Sequence, residues 1–275
     1  MIELPEAHTL ANQATEALTG RTVVEAEANH TPHKLLWFFG DPARYGDLLT
    51  GRTVTGAVAH AGHVELAAGE LRILLSEGAV PRLVPPGEPV PVKHQLRLDL
   101  DDGSTLVVAV AMYGGIQVFH DGENDNPYYQ AALAAPSPLT PAFDAGYFTA
   151  MLDAEGAASL SAKAFLATGQ RIPGFGNGVL QDVLWNARLH PKRKIGSLSD
   201  DERGALFASV TSTLAQMADA GGRDTERDLF GAPGGYATAM SRVTLELPCR
   251  RCGGPAVKEP YLGGAVYFCP QCQPL

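Results

Sequence analysis

Cysteine is missing from the first 248 residues of this 275-residue chain, which excludes a disulfide framework across most of the molecule. Long apolar runs are missing as well. No stretch approaches the roughly 20 consecutive apolar residues that cross a bilayer, so no membrane partner is expected. Positive charge is scarce: 21 Lys and Arg face 30 Asp and Glu, a net charge of −9. Such a balance argues against a polyanionic partner, because phosphate binding depends on Lys and Arg releasing counterions. Its distribution argues the other way. Residues 1–159 hold 8 basic and 20 acidic side chains, a balance of −12, whereas residues 160–275 hold 13 and 10, a balance of +3. A polyanion would meet the C-terminal part first. Internal repeats and low-complexity segments are absent, and a composition 45% hydrophobic fits a soluble globular protein with room for two domains and a small appendix.

All four cysteines fall in the last 27 residues, as Cys249-Arg-Arg-Cys252 and Cys269-Pro-Gln-Cys272 with sixteen residues between the pairs. Each pair brings two sulfurs onto one tight turn, and two facing turns form the tetrahedral thiolate cage that zinc prefers. Two disulfides are the alternative. Zinc is favoured because no secretory signal is present, so a cytoplasmic protein with reduced thiols is expected. Four protein ligands leave no open position for substrate, so one structural Zn2+ is expected, stapling a tail too short to bury a core. Ala256–Tyr261 and Ala265–Phe268 read as the strands of a hairpin carrying one pair at each end.

Leu10, Ala14 and Leu18 share one face of a first helix, and residues 21 to about 120 read as strands. The clearest hairpin runs from Leu96, Leu98 and Leu100 through an Asp102-Gly103 turn to Leu106–Val110. Ala135-Pro-Ser-Pro-Leu-Thr-Pro141 is too rich in proline for a helix and reads as a linker. Helices are then expected near Leu160–Thr168, near Val179–Arg188 and from Ser199. The last carries a Ser199/Glu202 capping box, a buried stripe of Leu206, Val210, Leu214 and Met217, and a Gly221-Gly222 stop.

Between the first two of these helices lies Arg171-Ile-Pro-Gly-Phe-Gly-Asn-Gly178. Such a turn lets backbone amides and a helix N-terminus approach an anion, with Asn177 offering a side-chain amide; it also serves as nothing more than a tight turn. Lys163 before it, and Arg188, His190, Lys192, Arg193 and Lys194 after it, favour the anion. Two further segments are weaker. His30-Thr-Pro-His33 offers two imidazoles to a metal or simply to solvent, and the acidic loop Gly122–Tyr129 reads as Asx turns or a protein contact.

Taken in order, these parts resemble the formamidopyrimidine-DNA glycosylase and endonuclease VIII family across essentially the whole chain. Glu3-Leu4-Pro5-Glu6 matches that family's N-terminal motif, and Lys163 with Gly174-Phe-Gly-Asn177 matches its helix-two-turns-helix element. Thr225-Glu-Arg-Asp228 resembles a further motif, and the four cysteines match its zinc finger in spacing. The resemblance implies an α+β fold: a β-sandwich domain with a leading helix (1–130), a Pro-rich linker (131–147), a helical helix-two-turns-helix domain (148–240) and a zinc-finger hairpin (241–275). It implies DNA held between the two domains, with Lys163 and Asn177 on a phosphate, and a monomer on damaged double-stranded DNA, hence on the nucleoid. Structured RNA is the alternative partner.

The pattern breaks where the family does its chemistry. A proline amine, exposed by loss of the initiator methionine, attacks C1′ of the damaged nucleotide there and forms a Schiff base, while the adjacent glutamate moves protons. An α-amine suits this because its pKa near 8 leaves a useful neutral fraction. Here Ile2 stands at that position, and an isoleucine there disfavours removal of Met1. The family's sandwich lysine falls at His63, its arginine-bearing wedge motif at Ala111-Met112-Tyr113-Gly114, and its finger arginine at Gly264. Tyr113 alone keeps an aromatic there, and Met112 still offers an apolar wedge. Glu3 and Glu6 remain as candidate catalytic groups, able to activate water as general bases, although both also suit the first turn of a helix. The expected activity is a DNA glycosylase that removes a modified base with its lyase step weakened or lost. The alternative is an inactive member that binds DNA or structured RNA.

Overall fold

Leucines alternating with charged residues build the hairpin at the centre of the N-terminal sheet. The computed structural model describes the whole chain, Met1–Leu275. Leu96 pairs with Val108 and Leu98 with Leu106, placing all four in one core while Arg97 and Asp99 form an ion pair at 2.7 Å. Each such leucine taken from water contributes about 1.5–3 kcal/mol.

The first compact unit is Met1–Leu133 with Glu226–Gly234. It starts with helix α1 (Leu4–Leu18), continues through strands β1 (Val23–Ala28) and β2 (Leu36–Trp37), helix α2 (Tyr45–Leu49), and strands β3 (Gly56–His60), β4 (His63–Ala68), β5 (Leu71–Val84), β6 (Leu96–Leu100) and β7 (Thr105–His120), and reaches helix α3 (Pro127–Ala134). The strands lie in the order β1-β6-β7-β5-β4-β3, and β2 pairs in parallel with β7. The strands expected to form a sandwich thus belong to one hydrogen-bonded sheet. β5 and β7 are its longest pair, and their register shifts between Glu77 and Ala79. At that shift a Cβ on Gly78 would lie 2.0 Å from the Ala111 carbonyl oxygen, so the backbones approach as only glycine permits. α1 closes the core with Leu10, Ala14 and Leu18. Residues 226–234, inside the stretch expected to be helical, belong to this unit. Leu229 joins its core, and the Leu83 N–H donates to the Leu229 carbonyl at 2.8 Å.

The second unit is Ala134–Thr225 with Gly235–Leu275. It holds helices α4 (Ala145–Asp153), α5 (Ala162–Ala167), α6 (Asn177–Asn186) and α7 (Asp200–Asp219) and the hairpin β8 (Val257–Tyr261) and β9 (Gly264–Phe268). The Ser199/Glu202 capping box is formed in both directions, and the stripe Leu206, Val210, Leu214 and Met217 is fully buried. α5 begins later than expected because Ser161 caps it, its hydroxyl accepting the Ala164 N–H at 3.2 Å. α6 begins earlier, so Asn177 is its first residue rather than part of the preceding turn. The Pro-rich stretch connects α3 to α4 without regular structure. No helix is long and apolar enough to cross a membrane.

Candidate functional site

The second unit gathers Lys163, Asn177 and Gly264, far apart in the chain, at one point. α5 carries Lys163 and α6 opens with Asn177. The Lys163 ammonium donates to Asn177 Oδ1 and to the Tyr261 carbonyl, each at 2.7 Å, and Asn177 Nδ2 donates to the Ala265 carbonyl at 2.9 Å. Gly264 sits against both: a Cβ there would lie 3.4 Å from Lys163 Nζ and 3.5 Å from Asn177 Oδ1. The anion expected at the Gly-rich turn would thus meet a lysine whose neighbours are carbonyls of the finger hairpin, with the Asn177 amide already engaged. Lys163 is only 3% exposed, and burial lowers its pKa.

The finger is held to α6 by more than this contact. Gln181 accepts the Tyr267 N–H at 2.9 Å, Gln273 donates to the Leu189 carbonyl at 2.9 Å, and the Arg251 guanidinium lies 4.1 Å from the centre of the Trp185 ring. Asp182, buried in α6, accepts the backbone N–H groups of Ala239 and Met240 at 2.8 and 2.7 Å. Sequence reading missed these anchors, since none is marked by local spacing.

All four cysteines are free thiols whose sulfurs lie within 4.8 Å of one another. Cys252 and Cys269 are separated by 3.4 Å and Cys249 and Cys272 by 3.9 Å. Disulfides are excluded at these separations, since an S–S bond is about 2.05 Å. Tetrahedral zinc with Zn–S bonds of about 2.3 Å needs sulfurs about 3.8 Å apart, which these distances bracket. Trp185 Nε1 and the Gly254 N–H each point at a sulfur, Cys249 and Cys252 respectively, at 3.4 Å, as donors to thiolates do. Burial raises the Cys249 thiol, but hydrogen bonds outweigh it and bring the pKa down to about 6, while burial and the neighbouring thiols push Cys272 up to about 12. Four thiols this close cannot all ionise without a cation among them. The donor set fits zinc.

The first unit holds the acidic groups. Glu3 is the N-cap residue of α1, yet its side chain makes no capping bond, and Glu6 lies in the first turn; both are buried. Capping therefore does not account for Glu3. Ile2 is packed in the hydrophobic core, and its N–H donates to the Glu77 carbonyl at 2.6 Å. The Met1 α-ammonium is ion-paired with Glu226, which gives the Thr225–Asp228 motif a visible task in this fold. Asp228 extends it by accepting from Gln13 Nε2 at 3.0 Å, tying the segment to α1.

The same unit holds a cavity of about 400 Å³ lined by Trp37, His63, Leu74, Ser76, Glu77, Tyr113, Gln117, Asn126, Tyr128 and Tyr129. Trp37 and Tyr113 stack at 6.4 Å on its wall. Burial, and then the charge of Glu3, raise the pKa of Glu77; burial, Glu77 and Glu3 raise that of Tyr113. The Glu3 carboxylate is thus electrostatically linked to two wall residues. His63 lies on the same wall, where burial lowers its pKa and keeps it neutral in place of a lysine cation. Met112, by contrast, is exposed, in a left-handed conformation with φ of 66°. Sequence reading missed Trp37, Glu77 and Gln117, and gave Glu226 only as part of the Thr225–Asp228 motif. The acidic loop also proves more than a loop: its Asx turns, with Asn126 accepting the Tyr128 N–H at 2.9 Å, start α3 and set Asn126, Tyr128 and Tyr129 on the cavity wall.

A seven-stranded sheet with a leading helix, a helical unit and a four-thiolate finger make this an α+β protein. No family model matches the chain. The formamidopyrimidine-DNA glycosylase of Laribacter hongkongensis is 33% identical over 282 residues, spanning 99% of this chain and 100% of that protein. That of Geobacter sulfurreducens is 29% identical over 280 residues, spanning 99% and 100%. The chain belongs to the formamidopyrimidine-DNA glycosylase family. Among solved structures, the MutM (Fpg) protein of Thermus thermophilus superposes with a TM-score of 0.80 at 26% identity, over 98% of each chain. The Lactococcus lactis Fpg in complex with DNA containing an abasic site gives 0.82 at 21% identity, over 99% of this chain and 100% of that one, a likeness of fold.

Proposed function

We propose that this protein is a base-excision DNA glycosylase that binds damaged double-stranded DNA and releases a modified base by hydrolysis, with Glu3 as the principal catalytic group. The relatives carry glycosylase names, and solved neighbours include Fpg with Fapy-dG-containing DNA and MutM with carbocyclic 8-oxo-G-containing DNA. The observation that carries the reading is the cavity in the first unit. At about 400 Å³ it lies within the roughly 300–1,000 Å³ range of small-molecule pockets, and aromatic faces with a few polar groups suit a planar base turned out of the stack.

Glu3 accepts a proton from water as that water attacks C1′. The departing base takes its proton from the cavity wall or from solvent, with Glu77, its pKa raised by burial and by the charge of Glu3, as the wall's candidate donor. The proton on Glu3 and the charge left on that donor then balance through solvent. Amine chemistry is disfavoured: Ile2 is part of the core, and the Met1 ammonium is held by Glu226. Lys163 and Asn177 hold a backbone phosphate, with α6 contributing its N-terminal dipole. His63 and Tyr113 line the cavity that takes the base, Met112 adjoins Tyr113, and one zinc in the finger keeps the hairpin folded against α6.

The test is base release from duplexes carrying formamidopyrimidine or 8-oxoguanine lesions by the native protein and by Glu3→Gln. Release is expected only from the native protein, with DNA affinity within about twofold of it for the variant. Full activity of the variant removes Glu3 from the mechanism. Absence of release by both favours the second reading, a binding protein that has lost its chemistry, for which the neutral His63 and the side-chain-free Gly264 speak.

A further inference from the structure

We propose that Glu27, His30 and His94 form a second metal site in the first unit, for a zinc-like divalent cation, distinct from the cysteine finger. Donor atoms of these three residues all lie within 4.8 Å of one another. Glu27 is near the end of β1, His30 follows in the β1–β2 loop, and His94 precedes β6, so strand pairing converges residues more than sixty positions apart.

His94 carries the argument. It is 4% exposed, and its Nδ1 donates to the Pro91 carbonyl at 2.8 Å. A carbonyl accepts only, so Nδ1 bears the proton and Nε2 presents a lone pair. Yet Nε2 is buried without a hydrogen-bond partner. Its nearest acid oxygen, Glu27 Oε2, is 3.9 Å away, beyond hydrogen-bond reach. A buried acceptor left unpaired is costly, and a bound cation would offset that cost. An imidazole whose other nitrogen donates to a backbone carbonyl is also the arrangement that orients metal-binding histidines.

The other two donors lie close by, and a modest turn of the exposed His30 ring out of its stack would bring its in-plane lone pair to the same ion. The His30 ring stacks on His94 with centroids 4.5 Å apart and planes 8° apart, and its Nδ1 is 2.9 Å from Glu27 Oε1. The loop carrying His30 is clamped to the same strand: the Asn29 N–H donates to the Gln95 carbonyl at 2.7 Å, the Thr31 N–H to the His94 carbonyl at 3.0 Å, and Gln95 Nε2 to the Thr31 carbonyl at 2.9 Å. Two imidazoles and a carboxylate suit zinc or nickel rather than magnesium or calcium, and three protein ligands leave one position for water or an exchangeable ligand. The site uses His30 with His94, not with His33, whose Nδ1 accepts the Leu35 N–H at 3.3 Å.

Equilibrium dialysis of untagged protein, with its finger already zinc-loaded and its thiols shown unreactive, tests the site. With zinc ions in the dialysate, about two bound zinc ions per chain are expected for the native protein and about one for His30→Ala and for Glu27→Gln. His33→Ala should keep two. Because His30 and Glu27 are exposed, these variants fold; His94→Gln, checked by circular dichroism, should behave likewise. One zinc in the native protein, or two retained in His30→Ala, overturns the proposal.

Discussion

Lys163 Nζ and Asn177 Oδ1 lie 2.7 Å apart, joining α5 to the first residue of α6 across fourteen positions of sequence. Both also bond carbonyls on either side of Gly264, so Lys163, Asn177 and the finger hairpin form one polar cluster. Replacing Lys163 with Met should therefore weaken DNA binding and lower the slope of log affinity against log salt by about 0.9, as loss of one phosphate contact requires. Asn177→Ala should weaken binding too and cost stability of about 1–3 kcal/mol, because Lys163 and the Ala265 carbonyl each lose a partner. Fluorescence anisotropy over a salt series and thermal melting check both.

Gly264 has room for a side chain, since a Cβ would meet its neighbours at ordinary contact distances of 3.4 Å and beyond. Gly264→Arg is expected to fold and to bind DNA more tightly, with a steeper salt dependence. Gly263, at φ of 73°, needs the left-handed region, so Gly263→Arg should lower the melting temperature instead.

His63 makes stability depend on pH. Its pKa is lowered from 6.5 by burial, so folding favours the neutral ring. The contribution is fully present above the unfolded value, begins to be lost as pH falls below about 6.5, and is gone once pH has passed the lowered folded value. His63→Gln should flatten the decline of urea-unfolding stability between about pH 7 and about pH 5. An unchanged slope would place the pH dependence elsewhere.

Removal of zinc should release the hairpin from α6. With a strong chelator, or with Cys269→Ser, Trp185 fluorescence is expected to change because its Nε1 donates to Cys249 Sγ at 3.4 Å. Melting temperature and DNA affinity should fall together, and zinc should restore both in the native protein.

The parts of this fold that rest on local spacing were legible in the sequence. Cys249, Cys252, Cys269 and Cys272 announce their cage by spacing alone, Ser199 and Glu202 their capping box, and Leu96–Leu100 its strand. Lys163 and Asn177 were legible as a pair through the family's motif, and the structure adds that both lean on the finger hairpin. What stayed hidden depends on distant convergence. Nothing in the chain links Trp37 to Tyr113, or Met1 to Glu226, until β2 pairs with β7 and residues 226–234 return to the first unit. His30 and His33 read as a turn pair open to a metal or to solvent, whereas the fold stacks His30 on His94.

The central claim, base removal by Glu3 without a covalent amine intermediate, is tested most directly by a single-turnover reaction on formamidopyrimidine-containing duplex DNA in the presence of borohydride. Base release with no trapped protein–DNA adduct is the predicted result. An adduct trapped through the Met1 or Ile2 amine, in amounts matching the base released, would contradict it.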